Sequence, residues 1–243
     1  MVVKLITLNI QGDRNIKRVI PFLEKEKADV ACLQEIFVSD FEEIRKKLAI
    51  KGYFCPMTYI DNKVYHERTE KEGPFGIAIM SKLICEKPKA DYYSGDGTCP
   101  VLTSSGIIDR VLFHSGFYKN GQVFHIGTTH FEWTPDGRTS NRQRLAFRNL
   151  MSVLEDADDF VLCGDFNAPR GREIYNLFLE EGFKDNLPLD IKSTIDTKYH
   201  WNKNLELVVD TIFSRGKYNV SNVRVVDGLS DHKAVVGDIS LNS

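Results

Sequence analysis

Five short polar motifs, spread along the whole chain, each follow an apolar run with the character of a β-strand. They are LITLN ending at Asn9, ACLQE ending at Glu35, GTTH ending at His130, GDFN over Gly164–Asn167 and SDH over Ser230–His232. A strand carries apolar side chains into a core and stops at a loop, so polar residues at its end reach the edge of a sheet. Five such ends predict one pocket of carboxylate, amide and imidazole groups, which suits a hard divalent cation and proton transfer beside it.

The order of strand-like and helical segments favours an α/β sandwich with two packed mixed β-sheets and helices outside them. Strands outnumber helices, and Asn120-Gly121 between two of them predicts a β-hairpin, which a purely parallel sheet would not contain. We expect strands at Val3–Ile10, Asp29–Gln34, Tyr53–Tyr59, Phe75–Ser81, Ile107–Tyr118, Gln122–Thr129, Asp159–Gly164, Leu205–Phe213, Val220–Val226 and Ala234–Leu241. We expect helices at Ile16–Lys27 and Asp40–Leu48 over one sheet, and at Thr139–Leu154 and Glu173–Glu181 over the other. No repeat or linker-like stretch interrupts the sequence, so we expect residues 1–243 to form a single domain.

Two local signals refine the first two helices. Pro21 falls inside the first helical pattern and predicts either a kink or a later helix start, because proline lacks the amide hydrogen of a helical bond. Ser39, with Glu42 three residues further on, predicts a capping box at the start of the second helix.

Composition limits the partners and the compartment. A net charge of −2 disfavours attraction to polyanions by total charge, although the stretch from Arg138 to Arg148 can still supply a local basic groove. The apolar runs have strand length, so we expect no membrane span. Five cysteines without paired spacing favour a reducing compartment, and the N-terminus lacks a signal-peptide pattern. We therefore expect a cytoplasmic protein, and we expect it to be a monomer.

The first two motifs suggest a metal site. Glu35 can bind a cation through its carboxylate, and Asn9 can either add an oxygen ligand or orient Glu35. The ordinary alternatives are a solvated carboxylate at a strand end for Glu35 and a turn residue for Asn9.

The GDFN motif carries two polar side chains two positions apart after a glycine. In strand geometry Asp165 and Asn167 would point to the same side, where Asp165 could orient and deprotonate a water and Asn167 could hold the phosphate or that water. Gly164 before them suggests close approach of another group. The alternative is a strand-to-helix turn capped by one of the two side chains.

The last motif pairs a histidine with acidic neighbours. A buried His232 needs a partner that fixes its tautomer, and Asp210, at the end of Leu207-Val208-Val209, can orient it. Asp231 would then lie beside the metal, and His130 could donate a proton to a leaving oxygen. The alternatives are a capped turn for Ser230-Asp231-His232 and an ordinary hydrogen-bonded histidine for His130. The sequence contains no HExxH, P-loop or GxGxxG pattern, which disfavours zinc, nucleoside triphosphatase and dehydrogenase chemistry.

Taken together and in this order, LNI, LQE, TTH, GDFN and SDH resemble the endonuclease/exonuclease/phosphatase superfamily from Asn9 to His232. The resemblance implies a four-layer α/β sandwich that hydrolyses a phosphate ester with Mg²⁺ or Mn²⁺. It implies a metal site at Asn9 and Glu35 with Asp231 close to it, water and phosphate handling by Asp165 and Asn167, and transition-state stabilisation by His232, which Asp210 orients. Arg110 resembles a phosphate-contacting arginine of the family; the alternative is a cation on a strand surface.

The same resemblance narrows the choice among the branches of this superfamily. His130 is similar to the histidine of deoxyribonuclease-I-like, sphingomyelinase-like and tyrosyl-DNA phosphodiesterase-like members, whereas apurinic endonucleases usually have a tyrosine there and a tryptophan-rich stretch before SDH. Here Trp201 is the one tryptophan in that interval. We expect a phosphodiesterase acting on nucleic acid, either a nuclease or a tyrosyl-DNA phosphodiesterase-like enzyme. The alternatives are a phosphomonoesterase, a sphingomyelinase-like phospholipid phosphodiesterase and an inactive binding module on the same fold.

Substrate specificity is expected from the loops between the motifs. These loops are Asp61–Gly73, Asp91–Ser105, Thr134–Arg142 and Ile191–Asn204. Their aromatic residues can either stack on bases or anchor the loops; they are Tyr92, Tyr93, Trp133, Tyr199 and Trp201.

Overall fold

A computed structural model describes residues 2–61, 69–102 and 108–242, and this part of the chain contains thirteen strands and four α-helices. The strands are β1 Val3–Asn9, β2 Val30–Phe37, β3 Lys51–Ile60, β4 Gly73–Ser81, β5 Ile84–Cys85, β6 Lys89–Ser94, β7 Arg110–Lys119, β8 Gln122–His130, β9 Phe160–Asp165, β10 Lys184–Asp185, β11 Asp210–Arg215, β12 Tyr218–Val226 and β13 Ala234–Leu241. The helices are α1 Ile16–Glu26, α2 Val38–Leu48, α3 Asn141–Val153 and α4 Glu173–Glu180, with short 3₁₀ turns at Gly12–Asn15 and Pro135–Gly137.

The strands form two mixed sheets. The first has the order β12-β13-β1-β2-β4-β3, and the second has the order β10-β11-β9-β8-β7-β5 with β6 paired to β7. The pairs β1–β2 and β8–β9 are parallel, and the remaining neighbours are antiparallel. One apolar cluster joins Leu5 and Cys32 of the first sheet to Phe113, Ile126 and Cys163 of the second. The sheets therefore pack face to face, as predicted.

Helices cover the outer face of each sheet. Val19 of α1 and Ile44 of α2 are buried in a cluster with Leu8 of the first sheet. On the other side, the Phe178 ring of α4 stacks 5.2 Å from that of Phe213 in β11. Such a sandwich has four layers, so the predicted fold class and the predicted place of each helix pair are confirmed.

The topology brings the polar motifs to one end of the sandwich. In the parallel pair β1–β2, Asn9 lies opposite Gln34, and in the parallel pair β8–β9, His130 lies opposite Asp165. Parallel strands end at the same edge, which is why distant motifs meet. Asp210 lies opposite Asp165 because β11 runs antiparallel to β9 and begins at that edge. Asp210 therefore opens its strand, whereas the predicted strand Leu205–Phe213 began five residues earlier and placed Asp210 at the end of the run Leu207-Val208-Val209.

Local sequence signals predicted the hairpin correctly and the starts of the first two helices incorrectly. The hairpin is confirmed, because Asn120 and Gly121 both adopt positive φ, at 49° and 79°, between β7 and β8. The prediction of a later start for the first helix is wrong, since α1 begins at Ile16 and contains Pro21. The capping box is also wrong: α2 follows β2 directly, its N-cap is Phe37 without a side-chain cap, and Ser39 lies inside the helix.

Three short strands were not predicted. The strands β5 and β10 have two residues each, too few to show a periodicity, and part of β6 was assigned to the loop Asp91–Ser105. Ile107, the expected start of one strand, and most of the loop Asp61–Gly73 lie outside the described residues. No helix in the described ranges has the length and apolar character needed to cross a bilayer.

Candidate active site

Asp165 lies at the centre of the polar end of the sandwich. Its Oδ2 accepts a hydrogen bond of 3.0 Å from the Asn9 amide, and it lies 3.5 Å from Nε2 of His130 and 3.8 Å from Nε2 of His232. Asn9 and His130 in turn reach Glu35 Oε1 at 3.1 Å and 3.6 Å. The structure thus brings four of the five predicted motifs into direct contact around one carboxylate.

The backbone around Asp165 explains the glycine before it. Gly164 has φ 143°, and a Cβ there would lie 2.0 Å from the Thr129 carbonyl oxygen of β8. Only glycine permits this approach, as predicted. The prediction of strand geometry for Asn167 is wrong, because β9 ends at Asp165 and Asn167 has φ 48°. Its amide N–H donates to Asp165 Oδ1 at 2.9 Å, and its side chain donates to the Phe131 carbonyl at 3.1 Å.

Glu35 does not end its strand. The strand β2 continues to Phe37, and its pairing with β4 shifts between Gln34 and Ile36, which places Glu35 on a β-bulge with φ 53°. A bulge re-aims the side chain that it carries. The bulge turns Glu35 toward the polar end while the strand goes on.

Asn9 orients carboxylates. Its Oδ1 accepts a 3.0 Å hydrogen bond from the amide of Gln11, and its Nδ2 donates to Glu35 and Asp165. Ionised carboxylates only accept hydrogen bonds, so the nitrogen must face them. Of the two roles expected for Asn9, this geometry favours orientation over an oxygen ligand.

His232 and Asp210 form the predicted pair. The Nδ1 of His232 lies 2.9 Å from Asp210 Oδ2, which leaves Nε2 directed toward Asp165. Ser230 Oγ accepts from the amide of His232 at 3.0 Å and donates to the Asn9 carbonyl at 2.5 Å. This hydroxyl therefore ties the last motif to the first.

Two supporting residues were missed by sequence reasoning. Thr194 Oγ1 accepts hydrogen bonds from the amides of Val209 and Asp210, at 3.0 Å and 3.1 Å, and so fixes the start of β11. Gln34 donates to Thr7 in the first sheet at 3.0 Å and to Thr128 in the second at 2.9 Å, which joins the sheets below the site. A polar residue inside an apolar strand was the available signal for Gln34.

The two histidines differ in charge. Burial, with the charges of Arg110 and His232, holds the pKa of His130 well below its usual value. Burial also opposes charge on His232, but Asp210, Asp165 and Asp231 outweigh it and raise the pKa of His232 well above its usual value. Near neutral pH the site therefore holds a neutral imidazole and an imidazolium on either side of Asp165.

The carboxylates are buried and crowd one another. Burial is the main cause that raises the pKa of Asp165 to about 6 and that of Asp231 to about 7, and it also raises the pKa of Glu35. Glu35 and Asp165 add to the rise at Asp231. Within the described residues, Oδ1 of Asp231 and Oδ1 of Asp210 are buried without a hydrogen-bond partner. Such a donor set fits a divalent cation, which would satisfy these oxygens and offset their charge.

Two groups of residues in the cluster offer ligands for a metal ion. Asp165, Asp210 and His232 have ligand atoms within 4.8 Å of one another. However, both nitrogens of His232 already face carboxylates, and a metal requires a deprotonated imidazole nitrogen. Glu35 and Asp231 supply carboxylate oxygens without that conflict, and a hard cation prefers them.

Arg110 is not a surface cation. It is buried, its Nε lies 3.4 Å from Oε2 of Glu132, and its Nη1 donates to the His130 carbonyl at 3.2 Å. Arg142 pairs with the other oxygen of Glu132 at 3.0 Å. Arg110 thus supports His130 directly through the backbone carbonyl, and Glu132, a further residue that sequence reasoning missed, holds Arg110 in place.

Four of the five candidate base-stacking residues fall into two groups. Tyr92 and Tyr93 anchor the strand β6, because their hydroxyls reach the Pro56 carbonyl at 2.8 Å and Thr129 Oγ1 at 2.7 Å. Their segment was expected to be a loop as far as Ser105, but residues 91–94 are strand and residues 103–105 lie outside the described ranges. Trp133 and Trp201 are 59% and 79% exposed and are free to meet a ligand.

Comparisons with known proteins show the family of the chain. The sequence model of the endonuclease/exonuclease/phosphatase family matches residues 6–232. An exodeoxyribonuclease from Bacillus subtilis is 24% identical over 236 residues, which cover 82% of this chain and 79% of that protein.

Solved structures share the fold at low identity. An endonuclease/exonuclease/phosphatase from Bacteroides vulgatus has a TM-score of 0.77 at 18% identity, with all of both chains covered (100% and 100%). D. rerio TDP2, complexed with a single-strand DNA product, has a TM-score of 0.70 at 16% identity, with 98% of this chain and 99% of that chain covered.

Proposed function

The chain belongs to the endonuclease/exonuclease/phosphatase family, and from this premise we propose that it is a Mg²⁺- or Mn²⁺-dependent phosphodiesterase that acts on nucleic acid. The observation that carries the proposal is the cluster around Asp165, where buried carboxylates meet one neutral and one charged imidazole. The exodeoxyribonuclease relative and the DNA complex of TDP2 support nucleic acid as the substrate class.

Glu35 and Asp231 would hold the metal ion, with Asn9 orienting Glu35. The unpartnered Oδ1 of Asp231 supports this assignment, since a buried carboxylate oxygen needs a positive partner. When bound, a divalent ion supplies positive charge to the phosphoryl oxygens and the leaving oxygen.

Asp165 is the proposed base for the attacking water. A pKa of about 6 leaves it ionised at neutral pH and makes it a stronger base than an ordinary aspartate. The Asn9 amide and the Asn167 backbone hold its two oxygens in place. Asn167 is proposed to position the phosphate or the water from the same turn.

His232 is the proposed donor to the non-bridging oxygens, where negative charge develops. Its Nδ1 is hydrogen-bonded to Asp210, so the proton on Nε2 points toward Asp165, where the substrate is proposed to bind. His130, held neutral, is proposed to assist the leaving oxygen. Arg110 remains a candidate for phosphate contact, although its observed contacts favour support of His130.

Substitution of Asp165 and His232 tests the proposal. Asp165→Ala and His232→Ala should each lower the turnover of bis-p-nitrophenyl phosphate by roughly 10²–10³ or more, which is the usual cost of one such group. Asp227→Ala, at an exposed position, and His125→Ala, on the same strand as His130, serve as matched controls. Circular dichroism checks that each variant is folded. Near-wild-type turnover in either site variant would contradict the assignment.

The phosphomonoesterase and phospholipid alternatives use the same cluster, and the family name itself includes phosphatases. A panel of mono- and diester model substrates, single-stranded DNA, duplex DNA, RNA, 5′-tyrosyl DNA and sphingomyelin, each with Mg²⁺, Mn²⁺ or EDTA, separates them. A folded protein that is inert with every metal would favour the binding module.

We also propose a cytoplasmic, monomeric, single-domain protein. The five cysteines are all free thiols, which suits a reducing compartment. Light scattering after size exclusion measures the oligomeric state, and a dimer mass would contradict the monomer.

A further inference from the structure

We propose that Trp201, together with Arg18, Lys198 and Lys203, binds single-stranded nucleic acid on the His232 side of the site, with an unpaired base stacked on the indole. These four residues form the proposed base-stacking surface. The inference rests on the proposed function for its substrate class and adds the residues that would recognise that substrate.

The loop that carries Trp201 is fastened to the SDH motif. The amide of Asp196 donates to the Asp231 carbonyl at 2.8 Å, and the amide of Lys233 donates to the Thr194 carbonyl at 2.7 Å. Ile195 forms an isolated bridge with His232 itself. A ligand on this loop therefore lies beside the residues that handle the phosphate.

Trp201 is displayed on a structured support. Its ring centroid lies 5.4 Å from that of His200, which is buried and whose Nδ1 accepts from the amide of Asn202 at 3.1 Å. The amide of His200 donates to the Asp196 carbonyl at 2.9 Å. The indole is nevertheless 79% exposed, so an aromatic face stays open. An exposed tryptophan held in this way is suited to stacking on a base.

Cationic side chains lie on the loop that carries Trp201 and beside it, around the neighbouring ring of Tyr199. The guanidinium of Arg18 lies 4.2 Å from the ring centre of Tyr199, and its Nε donates to the Leu229 carbonyl at 3.2 Å, next to Ser230. Lys198 lies 5.3 Å from the same ring, and Lys203 donates to the Lys198 carbonyl at 2.9 Å.

The carboxylate of Asp196 is turned toward the backbone and away from the cations. It accepts hydrogen bonds from the amides of Lys198 at 3.1 Å and Gly228 at 2.7 Å, so both of its oxygens are occupied. Cations beside an aromatic face suit a single strand of nucleic acid. The cations bind its phosphates, and the aromatic ring stacks on its unstacked bases.

Single strands fit better than duplexes because a paired base has both faces covered by its neighbours. Stacking on Trp201 needs an uncovered face, which single strands and frayed ends offer. The net charge of −2 for the whole chain makes a general attraction to duplex phosphates weak, so a local aromatic contact decides the preference.

Measuring the binding of single-stranded DNA in EDTA tests the base-stacking surface separately from catalysis. Fluorescence anisotropy of a labelled single-stranded DNA oligonucleotide compares wild type, Trp201→Ala and Trp201→Phe, with Leu189→Ala as the control because Leu189 is 82% exposed. We expect Trp201→Ala to raise Kd roughly 5- to 150-fold, the range that stacking on one base supports. Trp201→Phe and Leu189→Ala should stay within roughly twofold of wild type, since phenylalanine keeps an aromatic face.

Activity assays with Mg²⁺ provide the second arm. Trp201→Ala should raise KM for single-stranded DNA by a similar factor and leave kcat/KM for bis-p-nitrophenyl phosphate unchanged, because that substrate has no nucleobase to stack on the indole. Unchanged DNA binding in Trp201→Ala overturns the inference, and so does an equal loss on both substrates, which would make Trp201 a support of the site. Loss of binding to sphingomyelin vesicles with DNA binding intact would also overturn it. A wild type that binds single strands but hydrolyses nothing contradicts the proposed function and leaves this inference standing.

Discussion

Replacing Asp231 with asparagine should stabilise the metal-free protein at alkaline pH and abolish its stabilisation by divalent ions. Burial raises the pKa of this carboxyl to about 7, from the ordinary value of 3.8. Because the folded state holds the proton more tightly than the unfolded chain does, the contribution of Asp231 to stability is complete below pH of about 4. That contribution is lost as pH rises through about 7, where the buried group must ionise.

The size of the effect follows from the shift. At 1.36 kcal/mol for each pH unit, the difference between 3.8 and about 7 amounts to about 4 kcal/mol at pH 8 as an upper limit. Relaxation and water entry reduce this figure, so we expect a gain of roughly 2–4 kcal/mol for Asp231→Asn. In a chain of this size that gain raises Tm by roughly 5–15 °C. The new amide can donate to the neighbouring carboxylates, which limits the cost of burying it.

Thermal melts followed by circular dichroism measure this effect in EDTA at pH 5 and pH 8. The gain should be larger at pH 8 than at pH 5, and added Mg²⁺ should raise the Tm of wild type but not that of Asp231→Asn. Asp227→Asn, which changes an exposed carboxylate in the same segment, should change Tm by less than roughly 2 °C. An Asp231→Asn variant that melts at or below the wild-type temperature at pH 8 in EDTA would refute the reasoning.

Two further substitutions examine the supports of the site. Asp210→Asn removes the partner that raises the pKa of His232, so the alkaline limb of the pH–rate profile should move to lower pH; an unmoved limb would mean that His232 is not the titrating donor. Gly164→Ala should lower the free energy of unfolding in urea by roughly 3 kcal/mol or more, because its Cβ would lie 2.0 Å from the Thr129 carbonyl oxygen. A loss below roughly 1 kcal/mol would show that β8 and β9 can separate at little cost.

Periodicity predicted most of the architecture because it is a local property. The apolar spacing in α1 and the Asn-Gly pair between β7 and β8 depend only on neighbouring residues, and both elements are where they were expected. Signals that compete with packing were less reliable. Pro21 lies within α1 although proline disfavours helix interiors. Ser39 does not cap α2, because α2 starts directly from β2.

The sequence by itself determined the chemical types at the site and their order along the chain. Polar residues that follow buried strands must lie at a sheet edge, so a shared pocket for Asp165, His130 and His232 could be predicted without coordinates. The pairing of His232 with Asp210 could also be predicted, because a buried imidazole requires a partner.

Only the tertiary structure decided how those residues act. The bulge that aims Glu35, the turn of the Asn9 amide toward two carboxylates and the burial of Arg110 behind His130 all depend on contacts between segments far apart in the chain. The opposite pKa shifts of the two histidines have the same origin. Burial and neighbouring charge are properties of three-dimensional packing, and a list of residue types cannot specify them.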